Sequence, residues 1–102
     1  MACYKLTEDA HEDLREIKGF SQKQFGAIVA RDYLAGMRVI LQHLATMPGM
    51  GTDETADLFP GVWSFPYISH TIYYQLATDG ITVIGIIHQS RLPRVLRSRV
   101  TV

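Results

Sequence analysis

The feature that most restricts the fold is a change of hydrophobic periodicity at Pro48 and Gly49. Before this point, apolar side chains recur every three or four residues, as in an amphipathic helix; they are Tyr33, Met37, Ile40, Leu44 and Met47. After it, residues 62–68, 71–78 and 81–88 are rich in β-branched and aromatic side chains, which favour strands. We therefore expect helices followed by antiparallel strands, with the methionines and aromatic residues of the helical stripe in the core.

The first half of the sequence predicts a short strand and two helices. Residues 2–6 alternate as a strand does, and Thr7 is suited to cap the helix that follows. That helix is expected to run to about Phe20, with a break either near residues 19–21 or at Gly26. Two amphipathic helices joined by so short a connection favour an antiparallel helical hairpin.

The second half predicts a sheet of three or four antiparallel strands. Asp79 and Gly80 are expected to form a two-residue hairpin turn, and residues 56–59 could add a short strand. Residues 90–100 are expected to include a helical turn with Pro93 near its start. The fold class is then α+β, a two-layer sandwich with an N-terminal strand, a helical hairpin and an antiparallel sheet whose other face stays uncovered. Apolar and aromatic side chains on both faces of these strands predict a partner surface.

The length of 102 residues is that of one domain, so residues 1–102 are expected to form a single unit with a basic tail at 91–102. Apolar residues make up 47% and charged residues 20%, which is ordinary for a folded globular protein. No apolar run approaches the about 20 residues of a membrane-spanning helix, and no secretory signal is visible. The single cysteine, Cys3, allows no internal disulfide. We therefore expect a cytoplasmic protein that does not associate with a membrane.

The charged residues are unevenly placed, although ten basic and ten acidic side chains cancel. No lysine or arginine occurs between residues 39 and 90. Four arginines then follow close together: Arg91, Arg94, Arg97 and Arg99. These arginines either form a cationic surface for a partner or are a solvated tail that only confers solubility.

The sequence contains no convincing catalytic or metal-binding motif. The serines lack the glycines of a nucleophile elbow, no glycine loop precedes a helix to hold a phosphate, and no two histidines have metal-ligand spacing. A ribonuclease could be assembled from His88, Tyr73 and Arg91, but RNA cleavage needs cations around the phosphate, and residues 39–90 carry no lysine or arginine. A zinc site made of Cys3, His70 and His88 is a further alternative. We therefore expect no enzyme, no cofactor and no metal, and we interpret His88 as a strand-end histidine satisfied by a backbone carbonyl.

Several segments, in their order and spacing, resemble the RelE/ParE superfamily of bacterial toxins from toxin-antitoxin pairs, and more closely its ParE branch. The resemblance covers roughly residues 4–90. It includes the opening YKLTEDAHEDLREI, Phe25-Gly26, LATMPGMG at the end of the second helix, HTIYY from His70 and ITVIGIIHQS from Ile81. The resemblance implies a helical hairpin packed on an antiparallel sheet, with the first strand beside the last.

The two branches imply different functions. RelE-like members cut messenger RNA in the ribosome with basic residues and a tyrosine or histidine, whereas ParE-like members are described as inhibitors of DNA gyrase. Here Ser64, Gln75 and Gly85 stand where many relatives carry a basic residue. RNA binding depends on neutralising phosphates. The resemblance therefore implies a gyrase inhibitor that is not an enzyme.

The ParE-like interpretation implies two protein partners and no sequence-specific nucleic-acid binding. A cognate antitoxin, acidic and disordered when free, is expected to wrap the hairpin and the open sheet face. The side chains expected to contact it are Trp63, Phe65, Tyr67 and Tyr73. DNA gyrase is expected to contact the four arginines Arg91, Arg94, Arg97 and Arg99. Two alternatives stay open, namely a RelE-like ribonuclease that uses His88, Tyr73 and Arg91, and a non-toxic relative that binds the antitoxin as a co-repressor.

Overall fold

The computed structural model describes residues 2–99, which form one sheet with two long helices on one face. The elements are β1 (Cys3–Leu6), α1 (Glu8–Phe25), α2 (Ala27–Thr46), β2 (Thr52–Asp53), β3 (Val62–Tyr67), β4 (His70–Ala77), β5 (Gly80–His88) and α3 (Leu96–Arg99). Short 3-10 helices at Pro48–Met50 and Pro93–Val95 precede β2 and α3. The predicted α+β fold class is therefore confirmed. The helical turn near Pro93 is also present, although Val100 lies outside the described residues.

The sheet has five strands in the order β1-β5-β4-β3-β2. The pairs β2–β3, β3–β4 and β4–β5 are antiparallel, whereas β1 is parallel to β5, with Tyr4 opposite Ile81 and Leu6 opposite Val83. The first strand therefore lies beside the last, as the resemblance implied. The sheet is mixed rather than wholly antiparallel because the helical hairpin, and not a tight turn, connects β1 to the rest of the sheet.

The helical hairpin is divided at Gly26. Thr7 caps α1 as predicted, since its hydroxyl accepts the N–H of Ala10 at 3.1 Å. The helix continues past residue 20 and ends where Gly26 adopts a φ of +90°, a conformation that residues with a side chain avoid. The predicted end at about Phe20 is therefore wrong, and the alternative break at Gly26 is confirmed.

The main core lies between the hairpin and the sheet. Its buried members are Ala10, Ile17, Leu34, Met37, Leu41, Leu44, Ala45, Ile72, Tyr74, Ile81, Val83 and Ile86. The predicted stripe of α2 faces this core, because Met37 and Leu44 are fully buried and Tyr33 and Ile40 pack at its margin. Met47 is an exception, since it follows the end of α2 and is exposed.

A second, smaller core covers part of the opposite face of the sheet. Leu96 is fully buried there and packs with Val62, Tyr73, Ile84 and Ile87. Gly85 makes this approach possible, since a Cβ at that position would lie 2.5 Å from Leu96 Cδ2. The prediction that this face stays uncovered is therefore wrong, because the C-terminal segment folds back over it.

Two local predictions in the second half of the chain also need correction. The β4–β5 loop consists of Thr78 and Asp79, since Ala77 pairs with Gly80, so the turn lies one residue earlier than expected. Gly80, at a φ of +150°, begins β5 where a Cβ would overlap the carbonyl of Cys3 on β1. Residues 55–58 form a turn and not a strand; the short edge strand is β2.

Candidate binding surfaces

The sequence allows a catalytic set of His88, Tyr73 and Arg91, but the structure does not place Tyr73 near the other two. Tyr73 lies in the small core on the outer face of the sheet. His88 lies two residues beyond Ile86, which belongs to the main core under the helices. Side chains two residues apart on a strand share a face, so His88 and Tyr73 point to opposite sides. Burial, followed by the Glu54 carboxylate, raises the pKa of Tyr73, and its phenol is therefore protonated at neutral pH.

His88 belongs instead to a cluster with His70 and Tyr33. The two imidazole rings meet edge to face with centroids 5.2 Å apart, and Tyr33 Oη lies 2.7 Å from His70 Nδ1. Tyr33 Oη also accepts the N–H of Ser69 at 3.2 Å, and its hydroxyl lies 3.4 Å from the carbonyl of Tyr67, to which it can donate. Burial and the neighbouring His88 lower the pKa of His70 against a smaller opposing effect of Asp13. These effects favour a neutral His70.

Tyr33 also fixes the turn between β3 and β4. The hydroxyl of Tyr67 donates to the carbonyl of Tyr33 at 2.8 Å, and the two rings pack edge to face at 5.1 Å. Next to this pair, Ile68 adopts a φ of +49°, a strained conformation for a β-branched residue. The hydrogen bonds of Tyr67 and Ser69 to Tyr33 hold this turn in place. The side chain of Ile68 is 68% exposed there.

The histidine cluster lines a groove of about 650 Å³ between the end of α1, the start of α2, the β3–β4 turn and the end of β5. Arg91 joins His88 in its lining, together with exposed apolar side chains. These are Phe20, Phe25, Val29 and Ile68. Sequence reasoning missed this groove, although large apolar residues around the break at Gly26 were a signal for it.

The four C-terminal arginines fall into two groups. Arg91, Arg94 and Arg97 are exposed, and Arg97 also donates to the carbonyl of Leu58 at 3.2 Å. The side chain of Arg99 is only 13% exposed. Its guanidinium bonds both carboxylate oxygens of Asp13, with Nη1 2.6 Å from Oδ2 and Nη2 3.0 Å from Oδ1. Arg99 is therefore part of the folded structure, whereas the other three are available to a partner.

The Asp13–Arg99 pair closes the open part of the β5 edge. β1 pairs with β5 only as far as Val83, so in the described part of the chain Ile84 and Ile86 have no strand on that side. Asp13 accepts the N–H of Ile86 at 2.9 Å, and Arg99 donates to the carbonyl of Ile84 at 3.2 Å. The hydrogen bonds to Asp13 raise the pKa of Arg99, against the opposing effect of burial. This pair therefore connects α1, β5 and α3.

The four aromatic residues expected at an antitoxin interface lie on two faces. Trp63, Phe65 and Tyr67 are half-buried at the margin of the main core, on the helix side of β3. Tyr73 is buried on the outer face. β2 pairs only with Trp63 and Ser64, so within residues 2–99 no strand covers the outer edge of β3 beyond Ser64. The structure therefore groups three of the four aromatic residues beside an open edge.

Two features are absent from residues 2–99. No group of three or more histidine, cysteine or acidic residues is placed to hold a metal ion. The zinc alternative is wrong, since Cys3 pairs with Gly80 at the start of β5 and His88 ends that strand, roughly 26 Å away at about 3.3 Å per residue. Over the same range, no helix has the length and apolar character needed to cross a membrane.

These observations define a small α+β protein with a helical hairpin on one sheet and with several surfaces suited to partners. The same fold occurs in a chain described as the chromosomal ParDE toxin-antitoxin system of P. aeruginosa, with a TM-score of 0.73. That likeness covers 86% of this chain and 96% of the other at 18% sequence identity.

The sequence comparisons identify the family. The family described as the ParE toxin of type II toxin-antitoxin systems, parDE, matches residues 4–93. Toxin ParE1 of Caulobacter vibrioides is 29% identical over 90 residues, which cover 88% of this chain and 92% of that protein. The chain therefore belongs to the ParE family of type II toxins, and the resemblance seen in the sequence is confirmed.

Proposed function

We propose that this protein poisons DNA gyrase by binding it, without catalysis, and that a cognate antitoxin neutralises it. The observation that carries the proposal is the composition of the sheet: β3, β4 and β5 contain no lysine or arginine. A nuclease must stabilise the developing negative charge of a phosphorane, and three central strands without cations are poorly suited to that task. Family membership supports the same conclusion.

The exposed arginines of the C-terminal segment are the proposed gyrase contacts. Arg91, Arg94 and Arg97 are exposed, and they stand on a segment that Leu96 and Arg99 anchor to the sheet. An anchored cationic segment presents its charges in a fixed arrangement, which favours recognition by a complementary surface. Arg99 acts by holding this segment in place.

The aromatic strip formed by Trp63, Phe65 and Tyr67 is the proposed antitoxin contact. Each side chain is half-buried, so each keeps apolar surface for a partner, and the neighbouring edge of β3 is open beyond Ser64. A disordered segment could bury these rings and pair with the free edge at the same time. Tyr73 is not part of this surface because it lies under the C-terminal segment on the other face.

A supercoiling assay with purified gyrase tests the proposed target. The wild-type protein should inhibit supercoiling, and the variant Arg91→Ala/Arg94→Ala should need about tenfold more protein, since two charge contacts of about 0.7 kcal/mol each are lost. The control Lys23→Ala/Arg31→Ala removes two exposed positive charges from the helices and should inhibit like the wild type. Equal inhibition by both variants would show that the C-terminal arginines do not contact gyrase.

Binding of the antitoxin is tested with the small acidic protein that a neighbouring reading frame is expected to encode. Phe65→Ala should weaken the complex measured by calorimetry, because it removes the central ring of the aromatic strip. Leu76→Ala removes an exposed apolar side chain of β4 and should leave the affinity unchanged. A complex that survives Phe65→Ala intact would place the antitoxin elsewhere.

The groove around His70, His88 and Arg91 favours a ribonuclease as the second candidate, since it combines two imidazoles with one cation. In this arrangement Tyr33 takes the place that Tyr73 cannot fill. Ribosome-dependent cleavage of a message that is lost in His88→Ala, with supercoiling unaffected, would replace the gyrase proposal by this one. Unimpaired growth on strong expression without antitoxin would instead indicate a non-toxic co-repressor.

A further inference from the structure

The groove of about 650 Å³ beside the tip of the hairpin, where α1 ends and α2 begins, has the size of a small-molecule site. Four large apolar side chains lie together in it although each is between 49% and 68% exposed: Phe20, Phe25, Val29 and Ile68. They come from both helices and from the β3–β4 turn, so they face the groove from the hairpin and from the sheet. Single exposed apolar residues are common on protein surfaces, whereas a group that lines one concave surface marks a binding site.

The end of β5 supplies two hydrogen-bond donors to the same groove. The N–H of Ser90 donates to His88 Nδ1 at 3.0 Å, so this nitrogen accepts, and the proton of the neutral imidazole is on Nε2. Among residues 2–99, no acceptor bonds His88 Nε2, and the Arg91 guanidinium forms no ion pair. Both side chains line the groove and are exposed. They therefore offer one neutral and one charged donor to an anionic group.

The two acidic residues in the groove lining lie close to a different arginine, Arg99. Asp13 forms two hydrogen bonds with Arg99 and accepts the N–H of Ile86. The hydrogen bonds to Asp13 raise the pKa of Arg99 most, and Glu16 lies close enough to add to this effect. Arg99 therefore offsets the negative charge on this side of the groove, and the charge of Arg91 stays available to a ligand.

We infer that this groove binds a small amphiphilic carboxylate, that is, an anion with an acyl chain. The carboxylate accepts hydrogen bonds from Arg91 and from His88 Nε2, and the chain covers the apolar side chains of the hairpin tip and of Ile68. Removal of these side chains from water supplies much of the free energy of binding. The backbone of Ile68, at a φ of +49°, agrees with this role, since strained residues cluster where they hold a ligand.

The inference goes beyond the proposed function, because it assigns a small-molecule ligand to this protein. Arg91 is also a proposed gyrase contact, so a bound carboxylate would compete with gyrase for this side chain. The experiment therefore measures binding to the free protein, and its failure would leave the gyrase proposal standing.

Sodium octanoate, kept below its micellar concentration, is the probe in an NMR titration of the full-length protein. Amide signals of Ser69, His88, Ser90 and Arg91 should shift in a saturable way, with a Kd in the millimolar range or tighter. Octanol has the same chain without the charge and should bind at least about fivefold more weakly. Octyltrimethylammonium, which reverses the charge, should not shift these signals.

Two pairs of variants locate the two ends of the ligand. Arg91→Gln should weaken octanoate binding about fivefold, whereas Arg94→Gln changes net charge equally at an exposed position outside the groove lining and should not. Val29→Asp should weaken binding at least as much, because it places a carboxylate against the acyl chain. Val39→Asp is the matched control, since Val39 is also exposed on α2 but lies outside the groove lining.

The inference is overturned if octanoate causes no saturable shift at the groove, if octanol binds equally well, or if both members of either pair lose the same affinity. It is also overturned if neutral phosphatidylcholine vesicles deplete the same signals, since the apolar side chains would then contact a membrane. A dimer in sedimentation whose formation shifts these amides would likewise overturn it and assign the groove to a second copy. Circular dichroism of each variant verifies that the exposed substitutions leave the fold intact.

Discussion

Removing the guanidinium of Arg99 should destabilise the protein far more than removing any neighbouring arginine. Arg99→Ala deletes two bonds to Asp13 and one to the carbonyl of Ile84. Asp13, whose side chain is 9% exposed, then keeps only the N–H of Ile86 as a partner among residues 2–99. Breaking one side of a buried ion pair costs about 3–5 kcal/mol, and the remaining bond reduces this, so we expect a loss of about 3 kcal/mol. For a chain of this size that corresponds to a fall in Tm of more than about 10 °C.

Urea unfolding of three variants at neutral pH measures this cost and its origin. Arg94→Ala, at an exposed position of the same segment, should change the free energy of unfolding by less than about 0.5 kcal/mol. Asp13→Asn, alone and combined with Arg99→Ala, completes a double-mutant cycle whose coupling energy should exceed about 1 kcal/mol. A loss with Arg99→Ala no greater than that of Arg94→Ala, or additive effects in the cycle, would refute the view that this pair holds the C-terminal segment.

Three further changes should each alter stability in a stated direction. Leu96→Ala should cost about 3 kcal/mol in urea unfolding because Leu96 is fully buried, whereas exposed Leu92→Ala should cost almost nothing. Gly80→Ala should cost at least about 2 kcal/mol because its Cβ would overlap a backbone carbonyl; Gly61→Ala, also at positive φ but in open space, should cost about 1 kcal/mol. The lowered pKa of His70 means that the folded state binds fewer protons than the unfolded state. The contribution of neutral His70 to the free energy of unfolding is therefore present above about pH 6.5 and is lost as the pH falls through its folded pKa. When urea unfolding midpoints are compared across this pH range, the decline should be smaller in His70→Gln than in the wild type.

The elements that sequence reasoning found are those whose signal is local. The α2 stripe and the β-branched runs of β3 to β5 are read directly from residue spacing, and the end of α2 and the bounds of these three strands were right to within one or two residues. The parallel pairing of β1 with β5 joins residues more than 70 positions apart, and no spacing rule contains it. Only the resemblance to a known family placed these two strands side by side.

The C-terminal segment shows why part of the site could not be found. Asp13 lies in an acidic stretch of α1, and Arg99 lies in a basic tail. In the sequence, each residue is therefore interpreted as a solvent-exposed charge like its neighbours. Their contact depends on the exact length of β1, which leaves two backbone groups of β5 to be satisfied. Gly85 was the available clue, because a glycine inside a strand often marks the close approach of another segment.

The ion pair also determines how mutations of the basic tail must be interpreted. If all four arginines contacted gyrase, replacing each of them should weaken inhibition and leave stability unchanged. The structure separates these effects, because Arg99 fixes the position of the segment while Arg91 and Arg94 carry exposed charge. An Arg99 variant that loses toxicity therefore indicates a target contact only if its free energy of unfolding is preserved. Conversely, a loss of inhibition in Arg91→Ala/Arg94→Ala at unchanged stability can arise only from the surface itself.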